Sequence, residues 1–548
     1  MSKSHRYVAL LGSFCVIIGT AVQAAEVKVE INLAAPDGVE VSYTLPDQCK
    51  ELPFENKSRS DEPIRATWQA LDDCGSVTGD VLSRTKNTCS VMRFRVPATS
   101  NTPPGYYPSA FPLIGGVYVH TSNYAVSESC GKLSYRFVAP GIAAAGHAYK
   151  GSVIADTQAT GDASALLMQE PVESTGGTIA YFDPRLSPVA VEQIKEVADG
   201  TVSYLKTVLP DAVFKAPILA AVAASEPGGP NIRGNAGDVL LASFYNWPQQ
   251  PGPKEREKLT LLVAHEFSHR FQLRDAVDVY TDSRLIHEGG AEFLRWLTSI
   301  QKGWLSREEA AAQVDDALTQ CILYTNRQDW HGLTPKAIAG NRLEYVCGLP
   351  VYVYGLAARQ GQGSAFARFN DFYKELRAGK TPDFAHTLEC GANAQCQARW
   401  FPSLLGAGVP METQWGKLAQ ETGFAKAHAP NQSQRDRMVL QSIVKLMRDD
   451  CGGRRSTTET PNGVLIDGLS MCKTLRADID VRQIEDQPVF GGESTLAAMV
   501  AACTDRHEVK LGAKNGGSLT VPCGEPYSVR SEFYGIDIDK VLKSLLQG

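Results

Sequence analysis

His265 and His269 lie four residues apart in the run Leu261-Leu-Val-Ala-His-Glu-Phe-Ser-His-Arg270. On a helix that spacing places both imidazoles on one face, one turn apart. Two nitrogens so placed can share one tetrahedral Zn²⁺. Glu266 sits beside the first of them and points towards the open metal position. A carboxylate there can take a proton from an activated water and pass it to a leaving group. A third ligand is expected from Glu288, which follows His269 with eighteen residues between, in Leu285-Ile-His-Glu-Gly-Gly-Ala-Glu-Phe-Leu294. Glu292, one turn further on, is placed to accept a hydrogen bond from the outer nitrogen of a ligating histidine. Its ordinary alternative is a solvated carboxylate on a helix surface. The chain has only ten histidines, so a spaced pair is informative. His120, His147, His331, His386, His428 and His507 fall in no ligand spacing and read as structural or solvated.

These residues need two helices side by side. Periodicity predicts one over 255–273, with Pro251 and Pro253 just ahead of it where proline is tolerated, and another over 283–301. A helix over 189–209 and short strands at 216–222 and 238–244 precede them, with a Gly/Pro-rich loop over 226–237 between the strands. Further helices run to about residue 427. One opens at Ser306 with Glu308 and Glu309 close behind, an N-terminal signal. Upstream the chain reads as β: 27–31, 39–43, 90–96 and 133–138 alternate apolar and polar residues between turn-rich stretches. The last part mixes a helix at 435–448 with strands at 479–484, 509–511 and 518–521 and a helical piece at 494–503.

At 548 residues the chain is too long for one core. Apolar content of 43% and charged content of 21% are ordinary for a globular protein. A net charge of −6 gives no electrostatic reason to expect nucleic acid as partner. Lys3 and Arg6, an apolar run over 8–19, and small residues at 22 and 24 read as an export signal, so the mature chain is expected to be periplasmic or extracellular. No later segment is apolar for long enough to span a membrane. Setting Cys15 aside, twelve cysteines fall into three groups of four: Cys49, Cys74, Cys89, Cys130; Cys321, Cys347, Cys390, Cys396; and Cys451, Cys472, Cys503, Cys523. Each group is expected to hold two bridges within one structural unit, paired nearest neighbour to nearest neighbour.

The zinc motif, its eighteen-residue spacing and Glu288-Gly-Gly-Ala resemble the gluzincin metallopeptidases of the M1 aminopeptidase type and the related M61 enzymes. In that family the glutamate matching Glu288 is the third zinc ligand, although His287 stands here where the family has Asn. The family's Tyr-x-x-Gly segment is matched by Tyr345-Val-Cys-Gly348. That resemblance makes Tyr345 the donor to the oxyanion. The competing assignment puts Tyr345 in the core and gives the role to Tyr352 or Tyr354. One departure is clear. The family's Gly-x-Met-Glu-Asn strand, whose Glu holds a substrate amine, is matched in place by Gly234 to Phe244, but the Met-Glu-Asn is absent. Asp238 is either a substitute for that Glu or a turn residue at a strand start. The segment itself reads as an edge strand for an extended peptide. The order of elements over 479–521 resembles the second half of a PDZ domain, a module of M61 enzymes.

The expectation is therefore an α+β multidomain protein: a signal peptide over 1–24, a β-sandwich-like domain over 25–185, a thermolysin-like zinc catalytic domain of small sheet plus helices over 186–430, and a C-terminal α+β, PDZ-like domain over 431–548. One Zn²⁺ per chain and a peptide or protein substrate are expected, with no nucleic-acid partner. Two other readings use the same site: a zinc-containing protein that only binds partners, and a zinc hydrolase of a non-peptide substrate.

Overall fold

The computed structural model describes residues 26–547 except 36, 59–63, 101–106, 156, 158–161, 173–178, 226–228, 273, 360–362, 392–394, 407, 453–456, 461, 469–471, 525–526 and 528. The expected export signal and Cys15 lie outside the described residues. The chain divides into two compact units, residues up to 179 and residues 180–548.

The first unit is sheet-rich. Its central strand Glu26–Ala35 runs parallel to Lys132–Ala144 and antiparallel to Gly38–Thr44, which pairs in turn with Val91–Pro97. Alternation decides the faces: Val27, Val29, Ile31, Val39, Val41, Tyr43, Phe94 and Val96 all point into one buried cluster. A three-stranded sheet of Glu51–Pro53, Val81–Arg84 and Gly75–Thr78 adds Leu52 and Leu82 to the same core. Cysteine pairing here differs from expectation. Cys49 bonds Cys130 and Cys74 bonds Cys89, a nested arrangement. The parallel pairing of Glu26–Asn32 with Lys132–Val138 draws together chain segments far apart in sequence, Cys130 among them. The other four bridges join nearest neighbours: Cys321–Cys347, Cys390–Cys396, Cys451–Cys472 and Cys503–Cys523.

The second unit begins with a four-stranded sheet in the order Ile179–Phe182, Ile218–Ala224, Val239–Tyr245, Asn231–Ala236. The last of these strands lies where a loop was expected. It pairs antiparallel with Val239–Tyr245, so the edge of the sheet is Asn231–Ala236 and Val239–Tyr245 is interior. The interior strand is buried at every position, as a run of Val-Leu-Leu-Ala-Ser-Phe-Tyr requires. The edge strand carries little apolar character of its own and exists because its neighbour supplies the ladder. Two helices, Pro188–Val208 and Pro253–His269, share a core with this sheet through Ile194, Val197, Leu219, Leu240, Phe244, Leu259, Val263 and Phe267.

Beyond His269 the unit is mostly helical. Ser306 caps the helix Arg307–Thr325 with a reciprocal capping box to Glu309. The C-terminal stretch folds as an antiparallel sheet, Thr457–Thr460, Gly463–Ile466, Ile479–Ile484, Glu508–Ala513 and Ser518–Pro522, with the helix Glu493–Arg506. Its Val481, Leu511, Val521 and Leu545 belong to the same buried cluster as Trp296, Tyr352 and Phe401 of the helical region. Among the described residues no helix is long and apolar enough to cross a membrane.

Candidate metal centre

The helix Pro253–His269 stops four residues earlier than its periodicity predicts. Arg270 remains helical in φ and ψ, but its N–H turns to the carbonyls of Phe267 and Ser268. That tightening folds Gln272 back beneath His269. The second helix also departs from the expected form: Leu285–Gly289 is a single π-helical turn, and the α-helix proper runs from Gly290 to Gln301. Such turns are rare and recur at functional sites.

The two segments bring three donor atoms to one point. His265 Nε2 and His269 Nε2 are 3.0 Å apart. Glu288 Oε2 lies 3.5 Å from the first and 3.3 Å from the second. Ligands of a tetrahedral zinc bound at 2.0–2.1 Å stand about 3.3 Å from one another. The triangle therefore has the size and the chemistry for that ion. It is also poorly explained as hydrogen bonding, because two imidazole nitrogens facing each other need a proton or a cation between them. Glu288 and Glu292 push the pKa of His265 up to about 10 against the opposing effect of burial. Burial opposes the charge on Glu288 in turn, yet the two imidazoles hold its carboxyl far below the usual carboxylate range. The centre of the triangle calls for positive charge.

Outer contacts fix both imidazoles. Glu292 Oε1 lies 2.9 Å from His265 Nδ1, and the Arg295 side chain donates to Glu292 Oε2, its Nε at 3.1 Å. Glu292 is largely enclosed, with 14% of its side chain exposed; burial opposes its charge, but Arg295 and then His265 pull its pKa down. Gln272 accepts from His269 Nδ1 at 2.8 Å and donates to the His287 carbonyl at 2.8 Å. An N–H held at Nδ1 leaves the Nε2 lone pair free for a metal. The His287 ring stacks on that of His269, centroids 4.2 Å apart. Neither Gln272 nor Arg295 was singled out from the sequence. Their only signal is a three-residue offset from His269 and Glu292, a helical-neighbour spacing that carries no motif.

Glu266 is buried beside the triangle, with Oε2 lacking a hydrogen-bond partner. A methyl group on Gly234 would come within 2.6 Å of Glu266 Oε1. The edge strand thus passes directly over this carboxylate, and a larger residue at that point would push it aside. Asp238 lies in the turn after this strand, next to Arg270, whose Nη1 donates to the Gly237 carbonyl.

Tyr345 stands at the same centre. Its ring centroid is 5.8 Å from that of His265, and its hydroxyl meets Glu288. Burial first, and then the Glu288 charge, raise its pKa. Tyr352 and Tyr354 are fully buried in the helix Gly348–Ala357; the Tyr352 hydroxyl donates to the Ile286 carbonyl, and its ring stacks on Phe293 and Phe369. What sets Tyr345 against Glu288 is a crossing of two glycines. A methyl on Gly348 would stand 2.5 Å from Gly289 Cα, and one on Gly289 2.8 Å from Gly348 Cα. The glycines that follow Glu288 and end Tyr345-Val-Cys-Gly348 are thus the contact between the two segments. Arg284 ties them again through an ion pair with the buried Glu344.

No known family model matches the chain, and no curated protein matches its sequence. Solved structures do. An aminopeptidase N family protein from Idiomarina loihiensis superposes with a TM-score of 0.50 at 12% identity, covering 95% of this chain and 100% of that one. Yeast LTA4 hydrolase in complex with bestatin gives 0.37 at 10% identity, covering 79% and 78%; native yeast LTA4 hydrolase gives 0.35 at 11%, covering 80% and 79%. The two yeast comparisons, below 0.5, add nothing to the assignment. The first shows a shared fold: a mixed α+β chain, sheet-rich at the N-terminus and helical beyond, of the aminopeptidase N type.

Proposed function

We propose that the chain is an exported zinc-dependent metallopeptidase. The reading rests on one observation: His265, His269 and Glu288 converge as a zinc-sized triangle beside a buried carboxylate, Glu266, that has an oxygen without a partner. A zinc ion held by these three residues would supply a Lewis acid able to polarise a carbonyl and acidify a water. The protein residues do the rest. Glu266 takes the water's proton as it attacks the peptide carbonyl and delivers that proton to the departing amine. Tyr345 donates to the carbonyl oxygen as negative charge grows there. Glu292 and Gln272 hold the two imidazoles in the tautomer that ligation needs. The strand Asn231–Ala236, at the edge of its sheet, lies over Glu266, and an extended peptide would run along it. Six disulfides among the described residues agree with an oxidising, exported setting.

The purified protein should carry one zinc per chain and cleave peptides. A library with free and blocked N-termini separates the modes of attack. Cleavage confined to free N-termini indicates an aminopeptidase, and cleavage inside blocked peptides an endopeptidase. Zinc-loaded protein that cleaves neither set would refute the peptidase reading.

A further inference from the structure

We infer that Arg342 is a specificity-determining residue that binds a substrate carboxylate beside the scissile bond. The inference deepens the peptidase reading and rests on it. The Arg342 guanidinium lies 4.4 Å from the centroid of the Tyr345 ring. Tyr345 in turn touches Glu288 and neighbours His265. The side chain is exposed, and among the described residues it has no carboxylate partner. The other arginine at this place, Arg284, is already balanced by Glu344. Arg342 is therefore the unneutralised cation next to the oxyanion donor.

Its backbone makes the choice of residue pointed. Arg342 joins the helices Pro335–Asn341 and Leu343–Val346 with φ 53° and ψ 40°. That left-handed corner favours Gly or Asn, and a long side chain there is uncommon. The corner is held from both sides. Arg448 donates to Asn341 Oδ1, and Cys347 is bonded to Cys321. The guanidinium is thus delivered to the Tyr345 ring by a fixed stretch of chain, and stacking on the ring limits its rotamers. A stacked guanidinium still presents its in-plane N–H groups, which match a carboxylate as a fork. A substrate whose carbonyl oxygen meets the Tyr345 hydroxyl has its next residue within about 3.5 Å of chain. A carboxylate on that residue reaches Arg342.

The ligand chemistry is a carboxylate, from an Asp or Glu side chain or from a free C-terminus.

The test uses the full zinc-loaded protein and peptides matched in sequence. One set carries Glu or Gln next to the cleaved bond with an amidated C-terminus. The other is short and ends there as a free acid or an amide. The readout is the acid-to-neutral ratio of kcat/KM. Wild type should favour the acid by about tenfold or more, as expected for a charge-assisted pair. Arg342→Gln should bring the ratio near one, and Arg342→Lys should restore part of it. The responding set identifies the source of the carboxylate. A wild-type ratio near one, or a ratio that survives Arg342→Gln while both rates fall together, overturns the inference. If wild type cleaves no peptide at all, the peptidase reading fails separately. Calorimetric binding of the same pairs to Glu266→Gln protein then decides whether Arg342 selects acids, and equal affinities would count against it.

Discussion

Replacing Gln272 with leucine removes its hydrogen bonds to His269 and to the His287 carbonyl, together with its contact to the buried Tyr373 hydroxyl. Gln272 is buried, and its amide joins His269 Nδ1 to the His287 carbonyl with both contacts at 2.8 Å. Leucine keeps the volume but leaves a buried N–H and a buried carbonyl without partners. Each costs about 1–3 kcal/mol of stability. The larger consequence falls on the metal. Once its Nδ1 proton is unheld, His269 can carry the proton at Nε2 instead, where it blocks ligation, and its ring is free to rotate. Losing such an outer partner typically costs about 10–100-fold in metal affinity. Gln272→Glu separates the two effects. A carboxylate accepts from Nδ1 more strongly, yet it turns an acceptor towards the His287 carbonyl. Zinc affinity should hold or rise while the melting temperature falls. Chelator competition measures the first quantity and thermal denaturation the second. If Gln272→Leu binds zinc as tightly as wild type, the tautomer argument is wrong.

Glu266→Gln should keep its zinc and lose activity by several orders of magnitude, read by metal analysis and peptide turnover. Gly348→Ala forces a methyl to within 2.5 Å of Gly289 Cα. It should destabilise the protein by about 1–3 kcal/mol and lower kcat and zinc content together, since it pushes apart the segments that carry Tyr345 and Glu288. Opening the Cys49–Cys130 bridge, which spans a sequence separation of 81, should lower the stability of the first unit by roughly 4 kcal/mol and leave zinc binding unchanged. Asp315 accepts the Ile536 N–H at 2.9 Å, and burial pushes its pKa up to about 6. A carboxyl raised in the folded state adds stability that is complete below its unfolded pKa and is lost as pH rises through about 6. Asp315→Asn should therefore raise stability at pH 8 by about 1–3 kcal/mol and flatten the fall in melting temperature between pH 4 and pH 6.

The candidate histidine ligands were legible because their geometry is local. Four residues along a helix are one turn whatever the fold, so His265 and His269 needed no tertiary knowledge. Glu288 and Tyr345 follow from the spacing of the family the motif resembles, and the structure supplies a physical content for it: Gly289 and Gly348 touch. Capping at Ser306 was readable for the same local reason. The strand Asn231–Ala236 was not, because its sequence Asn-Ile-Arg-Gly-Asn-Ala has a single large apolar residue and its pairing is imposed by Val239–Tyr245. The Cys49–Cys130 bridge was hidden too, since it follows from a parallel pairing between strands about a hundred residues apart. Gln272 was invisible because the helix ends early, and only that ending swings it under His269.

The charges at the centre bear on which occupant suits it. Glu266, Glu288 and Glu292 contribute three carboxylates, and Arg295 is the guanidinium directly paired among them. Arg284 and Glu344 cancel each other at the border. Two negative charges remain in a region largely closed to water, which is costly unless matched. One proton on His265 would match only half of them. A divalent cation matches both and at once satisfies three lone pairs that otherwise oppose one another. The same balance explains why Glu292 needs Arg295: a carboxylate behind His265 strengthens the ligand, but without its own counter-charge it would add a third negative charge that no dication could offset. Arg342 lies outside this balance, spare and exposed on the Tyr345 ring, and a spare cation at the edge of a neutralised site is best matched by charge arriving with the substrate.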